Sequence, residues 1–165
     1  MSTDMFLSLH KIQGESEDQK FEGDIEITGW SAGYEQPISA AKSATGPTVE
    51  RVQAEPITIT KSVDSASNDL LQAIWSGKVI LSGFISCWRA DAKKEKPVEY
   101  LRIEMDHIVV TTFGISGGEG EIAQEEVGLS AGKVTFIYKG QKKIGGEEGK
   151  ETANFNFIKG TYGGD

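Results

Sequence analysis

The 165-residue sequence is poorest in cysteine and in long apolar runs. Cys87 stands alone, which excludes an internal disulfide and falls far short of a zinc cluster. No stretch approaches the roughly 18 apolar residues that a membrane helix requires, so no helical span is expected. Basic charge is also short. Against 25 Asp and Glu stand 17 Lys and Arg, a formal charge of −8. Nucleic acid and anionic lipid demand clustered cations, so neither is an expected partner. The denser basic runs, Lys93-Lys94 with Lys96 and Lys142-Lys143, adjoin acids and glycines and read as solvated turns. The opening MSTDMFLSLHKIQGES has no basic segment followed by an apolar run and a small-residue cleavage site. The expectation is synthesis in the cytosol and, for a protein that leaves the cell, export without a cleaved signal.

Signs of catalysis are equally scarce. His10 and His107 fall on expected strands with no ligand spacing around them, and read as structural or solvent-facing. Cys87, between Ser86 and Trp88, reads as a packed strand residue. Two glycine clusters, 117–120 and 145–150, lack phosphate-loop spacing: Ile144 stands where the loop needs glycine and Glu151 where it needs Ser or Thr. Glu119, Glu121, Glu125 and Glu126 read as a solvated loop and strand start. No cofactor, metal or enzymatic activity is expected.

What the sequence does contain is period-two alternation. Met5, Leu7 and Leu9 oppose Phe6, Ser8 and His10; Ile25 and Ile27 oppose Trp30 and Tyr34; Ile57 and Ile59 alternate with Thr58 and Thr60 after Pro56. Strands are expected over 79–88 and 98–113, joined by the charged turn 91–97. In the second, Leu101, Ile103, Met105, Val109 and Phe113 are expected on one face and Arg102, Glu104 and Asp106 on the other. Glycine-rich 114–120 leads to short strands at 126–129 and 133–138. A flexible connection over 140–150 precedes a last strand through Ala153, Phe155 and Phe157. One helix is expected. Asp64 or Ser65 can cap it, Leu70, Leu71, Ile74 and Trp75 share its apolar face, and Gly77 supplies a left-handed stop. About eight short strands and a single helix in one domain suggest a sandwich or a closed barrel. The run 36–49 has neither period, and a loop of that length in a compact domain either moves or binds something.

Taken in order along nearly the whole chain, the sequence resembles the Hcp family, the inner-tube proteins of bacterial type VI secretion. The likeness is carried by Asp4-Met5-Phe6-Leu7, Gly14-Glu15-Ser16, Ile25-Glu26-Ile27, Trp30-Ser31-Ala32-Gly33 and Ser43-Ala44-Thr45-Gly46. It continues through Thr60-Lys61-Ser62-Val63-Asp64, Gly77-Lys78, Val98 to Ile103 and, more loosely, Glu126-Val127-Gly128-Leu129, Val134 and Tyr138. The chain departs at Ser67-Asn68, where the family often has Ser-Pro, and at Ala32, where an aromatic is common.

The resemblance implies a compact β-barrel or two-sheet sandwich flanked by one helix, similar to phage tail-tube proteins. It implies a homo-hexameric ring that stacks into a tube, with sheath proteins around it, a spike protein at its tip and effector proteins in its channel. Such a protein is made in the bacterial cytoplasm and exported to the medium or a target cell. Ser31, Ser116, Gly117 and Gly118 are the expected channel lining, and Ser39, Lys42, Ser43, Thr45 and Gly46 an expected inter-subunit or ring-stacking loop. Two other readings stand beside it. One is a tail-tube subunit of another contractile phage-like machine. The other is a monomeric ligand- or carbohydrate-binding β-domain that uses Trp30, Tyr34 or Trp88 as a stacking platform.

Overall fold

The computed structural model describes residues 3–39, 48–49, 51–90, 96–141 and 147–164. Among these the chain passes through β1 (Thr3–Leu9), β2 (Ile25–Glu26), β3 (Gly29–Ser31), β4 (Tyr34–Glu35), β5 (Ile38–Ser39), β6 (Thr48–Val49), β7 (Gln53–Ala54) and β8 (Ile57–Ser62). One helix, α1 (Ser67–Ser76), leads to β9 (Val79–Arg89), β10 (Val98–Ser116), β11 (Gln124–Gln141), β12 (Glu147–Asn156) and β13 (Thr161–Gly164). The expected β-rich fold with one short helix is what forms. The two strands expected at 126–129 and 133–138 are one strand, β11, because Ser130, Ala131 and Gly132 continue the ladder without a large apolar side chain.

The described strand pairs are antiparallel. β1 lies on β9, β9 on β10, β10 on β11, and the start of β11 on β8. β2 pairs with β1 and β3 with β8, although the two are pieces of one extended run. At the switch, Ile27 N–H donates to the Met5 carbonyl (3.1 Å) and Thr28 N–H to the Thr60 carbonyl (2.8 Å). The hydrogen-bonded path thus returns on itself, which leaves this part of the sheet without exposed edges. Leu7, Ile25, Ile59, Ile85, Ile103 and Ile108 are fully buried inside it.

Strand β10 keeps its apolar side inward by two local irregularities. His107 is left-handed (φ 53°), so the alternation reverses: Ile103 and Met105 point inward before it, Ile108 and Val110 after it. Val109 therefore leaves the face expected for it and sits between Val79 and Ser130. A register shift between Val110 and Thr112 reverses the pattern again and returns Phe113 to the inside, opposite Val127.

Past Lys133, β11 carries β12, and β12 carries β13, so the sheet runs beyond the barrel as a wing. Strands β11 and β12 also occupy most of the run expected as a flexible connection; its tip, 142–146, lies outside the described residues. Between β3 and β8, β4 pairs with β7 and β5 with β6, so the described part of this segment, the arm, contains two short ladders. Tyr34 fixes it to the wing, edge-on to Phe136 (6.1 Å) and stacked on Phe157 (6.2 Å).

Helix α1 buries Ala66, Leu70 and Ala73, while Leu71 and Ile74 are half-buried. Trp75 corrects the expected apolar face: it is 77% exposed. Five residues beyond Leu70, it lies about 140° around the helix. Gly77 ends the helix at φ 67°, donating to the Ala73 carbonyl, as expected. At the start, the Asp64 carboxylate accepts from Ala66 N–H (3.0 Å) and the Ser67 hydroxyl accepts from Asp64 N–H (3.0 Å). The Ser65 hydroxyl turns instead to the Gln13 carbonyl (3.3 Å).

Beneath this turn lies a buried ion pair. Lys61 and Glu125 are directly opposite each other on β8 and β11, at inward positions continuing Ile57–Ile59 and Val127–Leu129. Lys61 Nζ is 2.6 Å from Glu125 Oε2, 2.8 Å from Asp64 Oδ1 and 3.2 Å from Ser67 Oγ, with the two paired side chains 0% exposed. Removing the cation alone strands two carboxylates. Lys61→Met is expected to lower unfolding free energy by about 3–5 kcal/mol, and adding Glu125→Leu to recover part of that loss, as read in urea melts.

Candidate functional site

The barrel strands β3, β8, β11 and β10 have an inner side filled by core. Trp30, Ile57, Ile59, Val127, Leu129, Val110 and Phe113 pack there. By the same alternation their outer side presents short polar residues and glycines. Register sets these in three rows: Ser31–Thr58–Gly128–Thr112, then Gly29–Thr60–Glu126–Gly114, then Ser62–Gln124–Ser116. Glu126 is the one ionisable side chain in the three rows.

Local bonds tie neighbouring strands of the face together. Gln124 Nε2 donates to Ser62 Oγ (2.9 Å), Thr111 Oγ1 to the Gly128 carbonyl (3.3 Å), and Thr28 Oγ1 to the Thr60 carbonyl (3.1 Å). Gly128 is required by crowding: a Cβ there would collide with Thr112 Oγ1 and come within 3.2 Å of Thr111 Oγ1. Of the residues expected to line a channel, Ser31 and Ser116 stand on this same face. They are three strands and four residue steps apart, on the order of 20 Å. Gly117 and Gly118 carry the exposed edge of the face into the β10–β11 turn, where Gly118 accepts from Glu121 N–H (3.3 Å). Thr58, Thr60, Ser62, Thr112, Gln124 and Glu126 complete the face without having been singled out; the Ile-Thr-Ile-Thr alternation of β8 was the available signal. Of the loop residues, Ser39 has its backbone in β5, and Lys42, Ser43, Thr45 and Gly46 lie outside the described residues.

The aromatic residues weighed as a ligand platform have other duties. Trp30 packs against the core and Tyr34 against Phe136 and Phe157. Trp88 meets Phe21 edge-on (5.3 Å) and carries Lys20 Nζ 4.6 Å from its ring centre. Cys87 is fully buried, and burial pushes its thiol pKa up, away from the reactive thiolate. Among the described residues, no three His, Cys, Asp or Glu side chains gather in a way that could hold a metal.

The comparisons with known proteins bear on this geometry. Residues 6–138 match the family model described as type VI secretion system effector, Hcp. The chain belongs to the Hcp family. Protein hcp1 of Pseudomonas aeruginosa is 30% identical over 151 residues, which span 90% of this chain and 91% of that protein. Among solved structures, one described as a type six secretion system protein superposes with a TM-score of 0.88 at 22% identity, covering 98% of this chain and all of the other. Hcp1 from Salmonella typhimurium gives 0.75 at 24% identity, with 98% and 99% covered. A type VI secretion system effector from Yersinia pestis gives 0.70 at 24%, with 93% and 99% covered. Family membership makes this a protein of type VI secretion, and the structural likenesses establish the shared Hcp fold.

Toward the other end of β10, on the outer side of β9 and β10, lies an ionic cluster. Glu99 accepts from Lys139 Nζ (2.9 Å) and from the buried Ser86 hydroxyl, which in turn accepts from Trp88 Nε1 (2.7 Å). Arg102 Nη1 stands 3.5 Å from the same carboxylate while its guanidinium covers the Phe84 ring at 3.7 Å. Burial opposes ionisation of Glu99, but the bonds from Ser86 and Lys139 and the charges of Lys139 and Arg102 outweigh it and hold the carboxyl below its ordinary pKa. A depressed folded-state pKa contributes stability above the unfolded value and loses it as pH falls through the folded value. Glu99→Gln is expected to cost about 2 kcal/mol at pH 7, with the difference from the parent vanishing in acid, in a series of urea melts against pH.

Proposed function

We propose that the chain is the inner-tube subunit of type VI secretion. Six copies close a ring around a wide channel, and rings stack into the tube that a contracting sheath drives behind a spike protein. The tube carries effector proteins in its channel and acts as a structural element, without catalysis or cofactor. It is made in the bacterial cytoplasm and leaves through the apparatus without signal cleavage.

The observation that carries this reading is the outer face of β3, β8, β11 and β10. A tube wall has to admit folded cargo and release it again, so it needs weak contacts spread over a broad surface. Short hydroxyls and glycines meet that need. They offer hydrogen bonds that exchange with water at a net gain of only about 1 kcal/mol each, and the three rows themselves hold no apolar side chain. In this reading Ser31, Ser116, Gly117 and Gly118 line the channel. The segment with Ser39, Lys42, Ser43, Thr45 and Gly46 reaches a neighbouring subunit or the next ring.

Native mass spectrometry of the purified protein is expected to give a dominant six-subunit species, seen in negative stain as an open ring. A strict monomer over a wide concentration range would overturn the tube reading. Ser116→Gln is expected to leave rings intact and reduce retention of an internal effector; undiminished retention would remove Ser116 from the lining.

A further inference from the structure

The wing of β12 and β13 has one face that the chain around Tyr34 covers only in part: Val134 is buried and Phe136 meets Tyr34, while Ala153 and Tyr162 are exposed. Cross-strand pairs set Val134, Phe155 and Tyr162 in one row and Phe136 with Ala153 in the next. A groove of about 220 Å³ opens there between wing and arm, lined by Tyr34, Val52, Phe136, Ala153 and Phe155, with Asn154 as its polar member. Around it Tyr162 is 87% exposed, Ile158 68%, Tyr138 45% and Tyr34 44%. At 150–250 Å² per aromatic side chain for the three tyrosines and somewhat less for Ile158, these four expose on the order of 500 Å². That is near the upper limit for a protein that stays alone, and most of the roughly 800 Å² that one partner gives to a stable interface. The outermost strand, β13, pairs only with β12 among the described residues, and its Thr-Tyr-Gly-Gly has no lysine, proline or bulge to discourage further pairing.

The same chain exposes a second apolar group elsewhere, at the corner between α1 and β9: Trp75 at 77%, Val79 at 46% and Leu81 at 58%. Lys11 and Lys78 flank Trp75, with Asp69 on the helix beside them. At the groove, Glu151 stands opposite Tyr138 and is exposed. Size, chemistry and charge match. An indole is the kind of side chain that anchors in a small apolar groove, and the lysines around it meet a carboxylate.

We propose that the wing face seats a second copy of this chain, which docks there through its α1–β9 corner with Trp75 in the groove. The proposal rests on the ring reading and assigns residues to its contact. Because the two patches differ, the contact is heterologous, and an open assembly keeps one free wing and one free corner, at its two ends, until a ring closes.

That property supplies the test. Ala153→Arg blocks the groove and Trp75→Arg removes the anchor, both at exposed positions, with far-UV circular dichroism checking the fold and Tyr162→Arg as a second wing variant should Ala153→Arg fold poorly. Each variant alone is expected to lose rings by at least about tenfold in native mass spectrometry. Mixed one to one, they are expected to form a heterodimer and nothing larger, since the mixture holds one intact wing and one intact corner. Rings that persist in either variant, or variants that fail to pair on mixing, overturn the assignment. A parent protein that forms no rings overturns the tube reading itself, and with it this contact.

Discussion

An ammonium group, two carboxylates and a serine hydroxyl meet inside the barrel wall, where the strand leading to the helix crosses the start of β11. Lys61 and Glu125 gain little net stability by attracting each other, because both have left water to do so. Their effect is on uniqueness. A one-residue slide of β8 along β11 turns its inward set outward, and a two-residue slide puts Lys61 opposite Val127 or Glu125 opposite Ile59 and leaves the charge unpaired, a penalty of several kcal/mol. The pair therefore fixes which residues of β8 and β11 face outward together, and hence the three rows of the polar face. Asp64 and Ser67 extend the constraint into the turn, so the helix start and the wall are positioned by the same atoms.

How much of this was legible depends on how local the signal is. The strand Ile57–Ser62 and the stop at Gly77 are written in adjacent residues, as two-fold alternation and as a left-handed glycine. Glu125 was expected among the solvated carboxylates and is instead buried: its parity with Val127 and Leu129 turns it inward, and only its pairing with Lys61, a long-range fact, keeps a charge there. The reversal at His107 has only a weak local signature, since histidine enters the left-handed region more often than most side chains but far less often than glycine. Trp75 misled by chemistry, because a large apolar residue near a buried stripe invites inclusion although its angle on the helix excludes it. The short strands of the arm have too few residues for any period, and the resemblance to Hcp proteins, carried by ordered fragments, supplied what periodicity could not.

The surface divides into regions with opposite physical character. The three rows on the outer side of β3, β8, β11 and β10 are polar and almost uncharged, in a chain of formal charge −8. The side of β9 and β10 that holds Glu99, Arg102 and Lys139 is ionic, with its charges bonded to one another. The wing and the α1–β9 corner are apolar and bare. A monomeric soluble protein has no use for that separation, because mixing charged and apolar residues everywhere would keep it equally soluble and expose it less to association.

Separation of this kind has a cost that points to its purpose. Bare aromatic residues on the wing and an unguarded strand edge invite aggregation unless something covers them, and a long, smooth polar face gives up the chance to bury apolar surface there. Both are tolerable when the covered and the open sides belong to an assembly: the apolar patches then supply association energy, and the polar face supplies the surface that must stay free. In the proposed tube, the barrel core behind that face, locked in register by one buried ion pair, would let the outer residues be chosen for contact with cargo alone. Stability, association and transit would then fall to three different sets of side chains on the same few strands.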